Sequence, residues 1–119
     1  AVQAERLGTV VEIAGGRLVV NARVDTYVSG DGDDDDAIAR ATAYLAAGAD
    51  CAYPIGRLDD ATTAHLAEAI PGPVNVLAYP GGPTVERLGA LGVARLTFGS
   101  GLFKEAMATV TARAEELAP

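Results

Sequence analysis

Three polar residues on one apolar stretch are the part of this chain best suited to chemistry. Residues 18–27 read LVVNARVDTY, an apolar run rich in β-branched residues that carries Asn21, Arg23 and Asp25 at every second position. In a strand, that alternation puts Asn21, Arg23 and Asp25 on one side and Val20, Ala22 and Val24 on the other. A cation inside a parallel strand must be paired or aimed at a ligand, because an uncompensated buried charge is costly. The arginine fork suits a carboxylate or a phosphonate. Two readings stand side by side. Arg23 grips the anionic end of a small molecule, or Arg23 and Asp25 (or a cross-strand partner) form an ion pair that only ties the sheet. Asn75, inside VNVLAY, poses the same choice. A mid-strand amide needs its hydrogen bonds met, either at the same cavity or by bonding to Asn21.

Other candidates carry less. PGGP at 80–83 and GSG at 99–101 precede helices, where free N–H groups attract anions, although most such loops are only turns. His65 falls on the polar face of its helix. Cys51, the single cysteine, excludes an internal disulfide and reads as a buried inert thiol. DGDDDD lacks the twelve-residue spacing and terminal glutamate of an EF-hand and reads as a solvated helix start. No HxxxH, CxxC, GxSxG or GxxxxGK motif is present.

The elements that must position these residues follow from hydrophobic spacing. A helix over 2–14 places Leu7, Val10, Val11 and Ala14 in phase and stops at Gly15-Gly16. The strand 18–27 comes next, then a helix over about 36–47 with Ile38, Ala41 and Leu45 on one face. CAYPI is a second strand. Asp59 caps a helix whose face is Thr63, Leu66, Ala67 and Ile70. VNVLAY is a third strand, and Thr84 caps a helix with Val85, Leu88 and Leu91 inward. ARLTFG is the fourth strand, before a helix over about 101–117 with Phe103, Ala106, Met107, Val110, Ala114 and Leu117 in phase. One helix followed by four βα units predicts a parallel sheet with right-handed crossovers, in a single unit over 1–119. The pattern fits an open doubly wound sheet or part of a (β/α)8 barrel equally well. Both place ligands at the carboxyl ends of the strands: Arg23 to Tyr27, Pro54 to Arg57, Ala78 to Gly82, and Gly99 to Gly101.

Composition narrows the classes. The 119 residues are half hydrophobic with a formal net charge of −7, which argues against nucleic acid or an anionic membrane surface as a partner. No run reaches the roughly 20 apolar residues of a membrane span. No basic segment precedes an apolar core, so a signal peptide is not expected and a cytoplasmic location is. The chain opens without methionine, in mid-helix style, as a piece of a longer protein does.

Taken in order, VVNARVDTY, AYLAAGADCAYPIG and PVNVLAYPGGPTVERLGALGVARLTFGSGLF resemble the isocitrate lyase / phosphoenolpyruvate phosphomutase superfamily, in particular its short bacterial members of the carboxyphosphonoenolpyruvate phosphonomutase-like and 2-methylisocitrate lyase-like kind. The resemblance covers essentially the whole chain, and N-A-R-x-D is its most specific element. It implies the α/β fold of a TIM (β/α)8 barrel, of which this chain is the carboxyl-terminal half, about four βα units with parallel strands. It implies a Mg²⁺-dependent lyase or phosphonomutase that cleaves or forms a C–C or P–C bond next to a 2-oxo acid through an enolate. Arg23 then holds the carboxylate or phosphonate, Asp25 orients its neighbours, and Asn21 and Asn75 complete a polar wall. The acidic Mg²⁺ ligands and the gating loop with its catalytic lysine or cysteine belong to the absent amino-terminal half. No catalytic or metal-binding residue is therefore assigned here, and the chain alone is expected to be inactive. The partner is a small carboxylate or phosphonate, with a homo-oligomer or the amino-terminal half of the same barrel completing the structure. Two positions depart from the pattern: Ile55 stands where methylisocitrate-cleaving members carry a glutamate, and Leu77 where they carry a polar amide. Both argue against strict 2-methylisocitrate lyase activity. They also keep open a non-catalytic oxo-acid-binding barrel, or a half-barrel scaffold that oligomerises through its sheet edges.

Overall fold

The computed structural model describes residues 2–30 and 32–118. Helix α1 (Val2–Ala14) leads into strand β1 (Asn21–Val24), a one-turn helix α2 (Thr26–Ser29) and helix α3 (Asp34–Ala46). Then follow β2 (Cys51–Pro54), α4 (Asp60–Ala69), β3 (Asn75–Leu77), α5 (Val85–Ala90), β4 (Arg95–Thr97) and α6 (Gly101–Leu117). Apart from α2, this is the expected order of one helix and four βα units. The strands are shorter than the apolar runs that announce them. Leu18 and Val19 precede β1 and are about 70% exposed, and Asp25 lies past its end.

β1 pairs with β2 and β3 with β4, both in parallel. A parallel bridge, Ala52 to Val74, joins the two pairs, with Ala52 N–H donating to Pro73 O at 3.0 Å. The strands thus lie in sequence order, β1-β2-β3-β4. Asp50 pins the start of this sheet: its carboxylate accepts the Val20 N–H at 2.7 Å, and its own N–H donates to Val20 O at 2.9 Å.

The core lies on one side of the sheet. Ala22, Val24, Ala52, Val74 and Val76 pack against Ala37, Ala41, Tyr44, Leu66, Ile70 and Leu88 from the helices. Small side chains let helix and sheet approach closely, as the alanine-rich sequence suggests. Asp33 caps α3 through the Asp36 N–H, Asp59 caps α4 through the Thr62 N–H, and Thr84 caps α5 through the Arg87 N–H. Gly48, at φ +98°, makes the turn from α3 toward β2.

Several expected inward faces are not inward. In α1 only Ala14 is buried, with Val10 half exposed; in α5 only Leu88 is buried, with Val85 exposed. Helix α6 buries nothing, and Phe103, Met107, Val110 and Leu117 of its apolar stripe face outward. In α3, Ile38 and Leu45 only flank the core, while Tyr44 enters it. Because α6 projects, the molecule measures 59 × 34 × 28 Å with a radius of gyration of 17.1 Å. A compact chain of this length would have about 13–14 Å. Among the described residues nothing covers these apolar faces.

Candidate functional site

With Ala22 and Val24 turned into the helix-covered core, alternation turns Arg23 to the opposite, open face of the sheet. Register carries one row of side chains across that face. Arg23 lies beside Tyr53, Tyr53 beside Asn75 through the Ala52–Val74 bridge, and Asn75 beside Arg95. Asp25, Ile55, Leu77 and Thr97 form the next row toward the carboxyl ends, where Leu77 pairs with Thr97 and Ile55 N–H donates to Val24 O at 3.1 Å.

Arg23 and Asp25 do pair. Nε lies 2.6 Å from Asp25 Oδ1, and Nη2 donates to Oδ2 at 3.1 Å. The pair is open to solvent, with the side chains 57% and 50% exposed, so it is not a buried clasp. Asp25 raises the Arg23 pKa further, first by its hydrogen bond and then by its charge. The grip is on the side of the fork. Nη1 and the outer N–H of Nη2 make no hydrogen bond among the described residues, and a planar guanidinium can take a second carboxylate end-on with those two donors. Asp25 therefore holds the fork in one orientation while leaving its tip open.

The two asparagines separate. Asn75 is fully buried and is satisfied by Thr97: Nδ2 donates to Thr97 Oγ1 at 2.8 Å, and that hydroxyl lies 3.2 Å from Asn75 Oδ1. It makes no hydrogen bond to Asn21. Asn21 opens β1, one step further than Arg23 from the carboxyl ends, and its buried Oδ1 has no partner among the described residues. Register thus brings Arg23, Asp25 and Asn75 to one face, and Asn21 sits below them.

Sequence reasoning missed Arg95. It is exposed on the open face at the far end of Arg23's row, and its charge opposes the burial that raises the Cys51 pKa. Its signal was its parity with Thr97 in ARLTFG. Tyr53, 7% exposed, was also passed over as a strand filler; burial raises its phenol pKa, against the pull of Arg23. His65 and Cys51 sit as expected, one exposed and the other buried.

The loops at the carboxyl ends are built by their own contacts. Asp34 accepts the Tyr27 hydroxyl at 2.7 Å, and Asp36 accepts that of Thr26 at 2.7 Å while also holding Arg40 at 2.8 Å. The acidic run is therefore more than a solvated helix start. In PGGP, Gly81 takes φ +79° and a Cβ on Gly82 would lie 2.8 Å from the Tyr79 ring, so those glycines serve the turn. Arg57 lies over the same ring at 5.4 Å. Among the described residues no three His, Cys, Asp or Glu side chains converge to hold a metal ion, and no helix is long and apolar enough to cross a membrane.

Four parallel strands, each followed by a helix, define the class: an α/β protein of βα units, with an arginine fork near the carboxyl edge of its first strand. The phosphoenolpyruvate phosphomutase profile matches residues 1–118, and the chain belongs to that family. An uncharacterized protein of Mycobacterium tuberculosis is 45% identical over 84 residues, which is 70% of this chain and 32% of that protein. A Burkholderia cenocepacia protein provisionally described as a phosphonomutase superposes with TM-score 0.86 at 33% identity, over 97% of this chain and 50% of its own. Phosphonopyruvate hydrolase, solved with oxalate and Mg²⁺, superposes with TM-score 0.71 at 27% identity, over 94% of this chain and 44% of its own. The parallel α/β arrangement matches the TIM-barrel-type fold of this superfamily of phosphonomutases and lyases acting on oxo acids. The chain spans between about a third and a half of the length of these relatives.

Proposed function

We propose that this chain is the carboxyl-terminal half of a (β/α)8 barrel whose complete form is a lyase or phosphonomutase. It acts on the C–C or P–C bond beside a 2-oxo acid. The observation that carries this reading is the Arg23 fork, side-gripped by Asp25 with its tip free on the open sheet face. In such a reaction the bonding pair stays behind in an enolate, so the substrate carboxylate must be held still while charge moves onto the neighbouring oxygen. End-on pairing at Arg23 supplies that grip, and Asp25 keeps the fork from swinging. Tyr53 and the Asn75–Thr97 pair close the wall beside it.

Phosphonopyruvate hydrolase is solved with oxalate and Mg²⁺, and in this reading the acidic ligands of such an ion are supplied by the amino-terminal half. That half covers the unpaired edges of β1 and β4 and lies over the open face. Exposed α6 seats its apolar stripe on another copy, making the enzyme a homo-oligomer.

Oxalate, a stable planar mimic of enolpyruvate, tests the reading. Calorimetric titration of the intact protein with oxalate and Mg²⁺ is expected to show binding that Arg23→Ala weakens by roughly tenfold or more. Equal affinity in the variant would remove Arg23 from the site. A second reading, an oxo-acid binder without turnover, draws on apolar Ile55 and Leu77 at the strand ends. Oxalate binding without consumption of any 2-oxo acid would favour it.

A further inference from the structure

A cavity of about 560 Å³ lies at the carboxyl ends of β2, β3 and β4. Arg23 does not line it. Tyr53, Arg57, Ser100 and Lys104 do. Tyr53 is only 7% exposed, and its hydroxyl makes no hydrogen bond among the described residues. A phenol buried to that degree normally has a partner. Here the side chain lines the cavity, so its donor is left for whatever enters.

The other donors are free as well. Ion pairs among the described residues engage Arg23, Arg40, Arg87 and Arg113, but neither Arg57 nor Lys104. Arg57 lies over the Tyr79 ring at 5.4 Å, which steers the guanidinium without occupying its N–H groups. Ser100 is the N-cap of α6 yet makes no side-chain cap bond, so its hydroxyl stays free and the helix start stays uncapped by it. The cavity is bordered by Gly101, Lys104, Glu105 and Ala108 of α6, one helical face at i, i+3, i+4 and i+7. The apolar stripe of Phe103, Met107 and Val110 lies on another face. Glu105 is the acid among these lining residues. It weakens, without cancelling, the field of two cations and the positive end of a 17-residue helix. A fork, an ammonium, two hydroxyls and a helix start converge from several directions. That suits a tetrahedral oxyanion better than the two coplanar oxygens of a carboxylate.

We propose that this cavity is a second anion site, separate from the Arg23 fork, which takes a phosphate or phosphonate group through Arg57, Lys104, Ser100 and the Tyr53 hydroxyl. The proposal does not depend on the oxo-acid reading. The group is carried either by the substrate itself or by a separate phosphorylated molecule, and both present the same oxygens.

Calorimetric titration of the intact protein tests this with inorganic phosphate, glycerol 3-phosphate and phosphonopyruvate, with oxalate and Mg²⁺ as the probe of Arg23. Inorganic phosphate is expected to bind, and Arg57→Gln and Lys104→Gln should each weaken it about fivefold or more, since each removes a charged donor. Both side chains are exposed, so neither change should disturb folding. Tyr53→Phe should weaken phosphate about threefold, and Glu105→Gln should tighten it. Arg23→Ala should leave phosphate affinity unchanged, and Lys104→Gln should leave oxalate affinity unchanged. Phosphonopyruvate binding that falls in Arg23→Ala and Lys104→Gln alike would identify the substrate's own group as the source. Glycerol 3-phosphate binding undisturbed by saturating oxalate and Mg²⁺ would identify a separate molecule. Absence of phosphate binding at millimolar concentration, binding indifferent to Arg57→Gln and Lys104→Gln, or binding that only Arg23→Ala weakens would overturn the second site. The oxo-acid reading would then still be decided by oxalate alone.

Discussion

At the scale of single residues, the account rests on how one guanidinium divides its donors. Asp25 occupies Nε and one N–H of Nη2, so it positions Arg23 without consuming it. Asp25→Ala should therefore weaken oxo-acid binding less than Arg23→Ala does. Neither change should move the melting temperature appreciably, because the pair is exposed and such pairs add little stability. Loss of folding in Asp25→Ala, read by circular dichroism, would make the pair structural instead. Asp36 makes a pH prediction. The Thr26 hydroxyl, and then Arg40, hold its carboxyl below the usual range. A depressed carboxyl contributes stability above its unfolded pKa of about 3.9 and loses it as pH falls through the lower folded value. Asp36→Asn should accordingly flatten the acid limb of melting temperature against pH, and an unchanged limb would contradict this. The N-A-R-x-D alternation made Arg23 and Asp25 legible because strand parity is local. The Asn75–Thr97 pair and Arg95's place in the row were not legible, because register between distant strands is written in no short segment.

At the scale of elements, caps and breakers were read well and strand lengths were not. Asp59 and Thr84 cap as their spacing suggests, since a side-chain oxygen three residues from an N–H is a local geometry. The run 18–27 shrinks to four paired residues because a strand needs a neighbour. β2 reaches only as far back as Asn21 in register, and Leu18 and Val19 have no partner. Gly48 carries a fold-level constraint: it sits at φ +98°, and a Cβ there would come 3.0 Å from Val11 Cγ1. Gly48→Ala should cost at least about 1 kcal/mol by denaturant melting. Leu66, fully buried between α4 and the sheet, should cost about 2–5 kcal/mol when cut to alanine. A neutral result at Leu66 would mean that the helix layer is not packed as described.

At the scale of the whole molecule, apolar surface is left over at the β1 edge and along α6. Val10, Ile13, Leu18 and Val19 crowd the β1 edge, and α6 carries Phe103, Met107 and Val110 into solvent. Helical periodicity predicted the stripe on α6 but could not say that it would lie exposed. In isolation the 119-residue chain should self-associate through its open edges, giving light-scattering masses above its 12.1 kDa. A stable monomer at tens of micromolar would count against the incomplete-barrel proposal. The most direct measurement is a crystal structure of the intact protein with pyruvate and Mg²⁺. The account predicts the pyruvate carboxylate end-on to Nη1 and Nη2 of Arg23, with Asp25 still on Nε. Pyruvate bound elsewhere, with the tip of Arg23 facing only water, would contradict it.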